Sequence, residues 1–216
     1  MKSMSTLKNI PSHTFLFLGI FVFVFIYPLM DVTTVFEFVG PLSYSIIISS
    51  ILSIVGRSER KKSKALYYLV VLSILFIWLL YFIELPLIRY VSFVFNIIVF
   101  MMAFSRMIGQ ILASKEVTIK VVLEAINGYL LLGVMLTLTN VLLWQLNHDS
   151  FSNISSGMVD LTYFSFISIT TIGYGDISPQ TDIAKLVSVF FGLASQLYLT
   201  IIIALIIGKF LNNKNM

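Results

Sequence analysis

The stretch Thr170-Thr171-Ile172-Gly173-Tyr174-Gly175-Asp176 decides how this chain is read. Just before it, Asp160–Ser168 reads as a short apolar helix with Asp160 at its N-cap. A helix needs about 20 residues to cross a bilayer, so this one stops partway. Just after it come Pro179 and a long apolar run, Leu186–Gly208. Upstream, Asn147–Gly157 is polar and reads as an exposed turret. The arrangement is therefore a half-helix followed by extended backbone, placed between two long apolar runs. Backbone of that kind is tolerated at membrane depth only where it is buried in protein or lines water.

The rest of the chain supports a bilayer as its solvent. Of 216 residues, 58% are hydrophobic and 11% are charged, against roughly a quarter charged in ordinary soluble domains. There is no cysteine, so disulfides and thiolate metal sites are excluded. The two histidines, His13 and His148, lie far apart, which argues against a His-based metal or acid–base site. Six runs are long and apolar enough to be read as spanning helices: Thr14–Met30, Val39–Val55, Ala65–Ile83, Leu85–Phe104, Ala125–Leu146 and Leu186–Gly208. Pro41 and Pro86 fall near helix starts, where a missing N–H costs nothing. No small-x-small cleavage site follows the first run, so it reads as a retained helix rather than a signal peptide.

Charge placement sets the expected orientation. With the N-terminus in the cytoplasm, twelve of the 14 Lys and Arg residues lie inside, and Arg89 and Lys185 lie outside. The net charge of +4 is thus a topology signal, and no nucleic acid is implied as a partner. Membrane lipid is the expected surrounding, with an anionic-lipid contact or a plain solvated loop as readings of the cluster Arg57–Lys64.

The segment Thr171-Ile172-Gly173-Tyr174-Gly175-Asp176 resembles the signature of the potassium channel family, whose filter pattern is Thr-Val-Gly-Tyr-Gly. Ile172 in place of Val is a methylene-sized departure. Potassium must shed its water, so the wall must offer oxygens instead. Backbone carbonyls can do this if successive ones face one side, and Gly173 and Gly175 permit the dihedrals required. The resemblance implies that Thr171, Ile172, Gly173, Tyr174 and Gly175 hold K+, with the Thr171 hydroxyl at the inner end. It implies that Tyr174 points away from the ions and packs against the pore helix, and that Asp176 sits at the pore mouth. The resemblance covers about Val117–Phe210, and includes Glu124–Gly133 as outer helix and Ser195-Gln196-Leu197-Tyr198 in the inner helix. It also implies a homotetramer, because the family builds its filter from four such loops.

Some positions depart from the family pattern. Where many relatives brace the filter with a Trp or Glu, this chain has Phe164 and Ile167, neither of which can donate a hydrogen bond. Tyr163 is the nearby aromatic with a hydroxyl, and a less tightly clamped filter is expected. In the last run, Gln196 faces either the cavity or a neighbouring helix, while Gly192 and Ser195 are hinge candidates, with close packing as the other reading of Gly192. Asn127 and Asn140 are expected to make interhelical contacts, and Asp182 and Lys185 to pair at helix spacing. Asn153-Ile154-Ser155 matches a glycosylation acceptor, a triplet common by chance. The fourth run has Arg89 and Arg106 with nothing basic between them, so weak or absent voltage sensing is expected.

The expectation is an all-α membrane protein with six transmembrane helices plus a re-entrant pore helix and selectivity filter. Residues 1–112 would form a four-helix N-terminal domain, 113–120 an interfacial linker, and 121–216 the pore domain. Lys115–Lys120 reads as an interfacial helix or a simple linker. The function implied is passive K+ conduction through the plasma membrane with both termini cytoplasmic, and no enzyme site is visible. The usual soluble gating domains are not expected in the chain itself. Gating at the filter, gating by lipid or tension, and control by an unidentified regulatory subunit all stay open. Rival readings are a poorly selective cation channel, which the intact Tyr174 argues against, a non-conducting modulatory subunit, and a secondary transporter.

Overall fold

A computed structural model describes residues 12–26, 39–55, 62–82, 85–114 and 116–214. The chain runs through α1 (Ser12–Phe21), continued by a π-helical turn at Val22–Ile26, then α2 (Val39–Val55), α3 (Lys62–Phe82) and α4 (Pro86–Ala113). It goes on through α5 (Ile119–Leu146), a short 3₁₀ turn at His148–Ser150, α6 (Met158–Ile169) and α7 (Asp182–Lys214). Among the described residues there is no strand, and a single antiparallel bridge joins Phe151 to Pro179.

Among the described residues, three helices are long and apolar enough to cross a membrane: Leu87–Ala113, Ile119–Leu146 and Asp182–Leu211. Each is longer than the apolar run that signals it. An apolar run stops at the first charges, whereas helix hydrogen bonding continues until a cap or turn ends it. Pro86 opens α4 in its first turn, where the absent N–H loses no bond. Ser and Thr hydroxyls inside the helices return to carbonyls one turn back, as Thr137 does to Gly133 at 2.9 Å and Thr139 to Met135 at 2.8 Å. Their polarity is thereby satisfied without water.

The two halves of the chain share one core. Leu16, Ile20, Phe23, Tyr44, Ile47 and Phe100 from the first four helices pack in the same buried cluster as Leu131, Val134, Met135 and Ile169. Helix α5 is the strut of this core, with 67% of its apolar window buried, against 22% for α7. Close approach depends on small residues. A methyl on Gly19 would stand 3.0 Å from Ile46 of α2, and one on Gly133 would stand 2.6 Å from Phe166 of α6.

Between α4 and α5, Ser114 and Thr118 are extended, with φ/ψ of −65°/134° and −105°/164°. Of the stretch read as an interfacial helix or a linker, Ile119 and Lys120 are the first residues of α5, and Lys115 lies outside the described residues. The C-terminal end of α4 is capped from elsewhere in the chain. Lys209 of α7 lies within hydrogen-bond distance of the carbonyls of Ile111 (2.6 Å), Leu112 (3.1 Å) and Ser114 (2.7 Å). An ammonium on the last carbonyls of a helix satisfies them and complements the helix dipole.

Candidate functional site

The site is built on α6. This helix begins at Met158, two residues before the start that the sequence suggests. Gly157, at φ 47°, occupies the N-cap, and Asp160 lies inside the first turn. From there the Asp160 carboxylate accepts the N–H groups of Ser155 at 2.6 Å and Ser156 at 2.7 Å. A carboxylate at a helix N-terminus also complements the dipole. The helix is seated on α5 by Gly133, which admits Phe166 and Ile169, and by Asn140, whose side-chain amide donates to the Ser165 hydroxyl at 3.0 Å. Phe164 is buried and turned toward the turret, with its ring 5.4 Å from that of Phe151. Ile167 is also buried and contributes its carbonyl, which accepts both Ile172 N–H (3.0 Å) and Gly173 N–H (3.1 Å).

Beyond α6 the backbone takes an unusual path. Thr171, Gly173 and Gly175 have φ of 62°, 51° and 80°. In an ordinary strand successive carbonyls alternate between two sides. Where every second residue has positive φ, the alternation is undone and neighbouring carbonyls turn toward one side. Glycine takes that φ at little cost, whereas Thr171 stores about 1–2 kcal/mol there. Residues 171–176 are all exposed, and a methyl added to Gly173 or Gly175 would meet nothing within 4 Å. Tyr174 is 72% exposed. The oxygens this loop offers are its carbonyls, the Thr171 hydroxyl and, at its end, the Asp176 carboxylate.

The return to α7 is zipped onto the turret. Ser152 N–H donates to the Ser178 carbonyl at 2.9 Å, Gln180 N–H to the Ser150 carbonyl at 2.8 Å, and Ser178 N–H to the Ser152 hydroxyl at 3.0 Å. Asn153, at φ 56°, donates its amide to the Asp176 carbonyl at 2.7 Å. The Tyr163 side chain faces the Asp176 carboxylate. Asp176 is therefore held at its backbone by Asn153 and faced at its side chain by Tyr163. Asn153 stands out in sequence only as part of a chance-level glycosylation triplet, and nothing in that triplet signals the role it plays here.

Helix α7 runs unbroken through Gly192 and Ser195. Gly192 has no neighbour within 4 Å of where a Cβ would stand, so close packing within the chain does not explain it. Ser195 is buried and donates to the Gly192 carbonyl at 2.8 Å, with the Ile169 carbonyl at 3.3 Å. Gln196 directs its amide at the Ile169 carbonyl, 3.3 Å away. Tyr129 of α5 donates to that same carbonyl at 2.8 Å. Sequence reading placed Tyr129 only in a stretch of outer helix, because nothing in a linear pattern shows which helix end its hydroxyl reaches. Asp182 and Lys185 form an exposed pair at 3.9 Å.

Residues 129–212 match a family model described as ion channel. The chain is 40% identical over 75 residues to two-pore potassium channel 2 of Arabidopsis thaliana, covering 34% of this chain and 17% of that one. It is 37% identical over 67 residues to the hyperpolarization-activated voltage-gated potassium channel of Methanocaldococcus jannaschii, covering 31% and 32%. It is 32% identical over 88 residues to potassium channel K2 of Plasmodium falciparum, covering 38% and 6%. The chain thus spans less than a third of the length of each of these relatives. No solved structure matches it.

Proposed function

We propose that this chain, which over residues 129–212 matches an ion channel family model and resembles potassium channels, is one subunit of a homotetrameric, potassium-selective channel. The observation that carries the reading is the positive φ at Thr171, Gly173 and Gly175, in a loop hung between a half-length helix and a membrane-length one. Carbonyls turned to one side can replace the hydration shell of a cation, and ions can pass between adjacent sites by mutual repulsion. Thr171, Ile172, Gly173, Tyr174 and Gly175 are the proposed filter, and Asp176 is the carboxylate that concentrates cations at the mouth.

One loop is not a pore, and four are needed to close a wall around the ion. The exposed side chains of Ile172 and Tyr174, together with Leu186, Phe190, Leu193 and Leu197 along α7, form the surface available to neighbouring copies. The C-terminal end of α6 then aims its partial negative charge toward the centre. Six crossings are proposed, with both termini in the cytoplasm and the plasma membrane as location. Twelve of the 14 Lys and Arg residues then lie inside, and the turret and Asp176 outside.

The test is the reversal potential of the purified protein in a planar bilayer, with potassium on one side and sodium on the other. A value near the potassium equilibrium potential, lost on Gly173→Ala, is expected. A value near zero would sink the selective reading in favour of a poorly selective pore.

A further inference from the structure

The carbonyl of Ile169, the last residue of α6, is reached by no main-chain donor. The N–H of Thr170 goes to Phe166, that of Thr171 to Ser168, and those of Ile172 and Gly173 both go to Ile167. Ile169 itself is fully buried. A helix-terminal carbonyl in that position must find a partner elsewhere or lose solvation without return. Its partners are side chains from two other helices: the Tyr129 hydroxyl at 2.8 Å, the Gln196 amide at 3.3 Å and the Ser195 hydroxyl at 3.3 Å. Ser195 has one proton and a nearer acceptor, the Gly192 carbonyl at 2.8 Å. Tyr129 is therefore the shortest donor, and Gln196 the second.

These donors differ in what they are attached to. Tyr129 rises from α5, the buried strut, and its ring packs against two apolar clusters. Ser195 and Gln196 ride on α7, whose apolar window is mostly unburied within the chain. The neighbouring small residue on the same face of α5, Gly133, brings Ile169 and Phe166 into contact with the helix backbone. Tyr129 and Gly133, four residues apart on one helix face, form a fixed seat for the end of α6. Residues 170–173 hang directly from that end.

We propose that Tyr129 is a positioning residue for ion selection. Its hydroxyl pins the carbonyl from which the Thr171 end of the loop is suspended, and it does so from α5 rather than from α7. With the Tyr129 hydroxyl present, the inner end of the filter keeps its place whether or not Gln196 stays engaged. Without it, the placement of Thr171 depends on α7 alone. This inference rests on the filter reading given under Proposed function.

Tyr129→Phe keeps the ring and removes only the donor. The loss of one buried hydrogen bond, worth about 1 kcal/mol, corresponds to roughly a fivefold change in an equilibrium. The expected result is a K+/Na+ permeability ratio about fivefold lower than wild type, read from the reversal potential. A second measurement is thermal unfolding of the detergent-solubilised protein in potassium and in sodium. Wild type should melt higher in potassium, and Tyr129→Phe should lose that potassium-specific increment. A tyrosine that served stability alone would lower both melting temperatures together and leave the permeability ratio unchanged, and that outcome overturns the proposal. If Tyr129→Phe does not yield channels, 3-fluorotyrosine at position 129 keeps the fold with a more acidic, stronger donor. A ratio above wild type supports the proposal, and a ratio equal to or below wild type overturns it. A wild-type protein without potassium preference in either measurement overturns the filter reading and this inference together. A selective wild type with an unchanged Tyr129→Phe overturns this inference alone.

Discussion

Gly128 of α5 lies directly against Tyr198 of α7, and Gly128→Ala tests the packing between these helices. A methyl there would stand 2.9 Å from Cζ and 3.4 Å from Cε2 of Tyr198, and closer still to its hydroxyl oxygen. Carbon pairs settle at about 3.5–4.0 Å, so the ring must retreat by roughly half an ångström or more. Tyr198 has little room to do so. It is 6% exposed, its hydroxyl donates to the Ala125 carbonyl at 2.8 Å, and its ring lies 5.4 Å from that of Phe104. Overpacking costs about 1–3 kcal/mol and the displaced hydrogen bond about 1 kcal/mol. Alanine returns about 1 kcal/mol of helix propensity over glycine. The net expectation is a destabilisation of about 1–3 kcal/mol, measured by denaturant unfolding in mixed detergent micelles. Because the hydroxyl makes the worst contact, Tyr198→Phe should partly rescue Gly128→Ala, giving a double mutant about 1 kcal/mol more stable than the sum of the singles. Two results would refute this account: a Gly128→Ala protein within about 0.5 kcal/mol of wild type, or strictly additive double mutants.

Asn153→Gly keeps the positive φ while deleting the donor to the Asp176 carbonyl, and should speed current decay on removal of external potassium by about fivefold. Asn153→Ala should decay faster still, since Ala tolerates that backbone poorly. Tyr163→Phe should act in the same direction, and less than additively with Asn153→Gly, because both side chains meet Asp176; independent effects would separate the two contacts. Lys209→Met removes the ammonium from the last carbonyls of α4 and should change open probability by about fivefold, with the reversal potential unchanged. A shifted reversal potential would show that Lys209 acts on the filter rather than on the inner helix.

Much of this protein is legible one residue at a time. Helices α4, α5 and α7 announce themselves as apolar runs because lipid leaves helix as the way to satisfy a spanning backbone. The backbone of the loop at 171–176 is legible in part because glycine takes a positive φ at little cost, and Gly173 and Gly175 are among the residues where it is observed. Thr171 shares that backbone without glycine's freedom, and its left-handed φ is not written in its residue type. The start of α6 was misplaced by two residues because Asp at a helix start serves equally from the cap or from inside the first turn. What closes the end of α4 is not legible locally either. A short charged, alternating stretch fits an interface, but the cap for α4 comes from Lys209, far along the chain.

By itself, then, the sequence determined the apolar helices, the half-helix and the glycine pattern of the loop, because each follows from local periodicity, length and dihedral freedom. Only the tertiary structure decided which side chains hold that loop. Tyr129 and Gln196 meet at Ile169, Asn153 and Tyr163 meet at Asp176, and Lys209 meets the end of α4. Each of these contacts joins a donor to an acceptor from a different element. A hydrogen bond depends on distance and direction in space, and the linear order of residues fixes neither until the helices have packed.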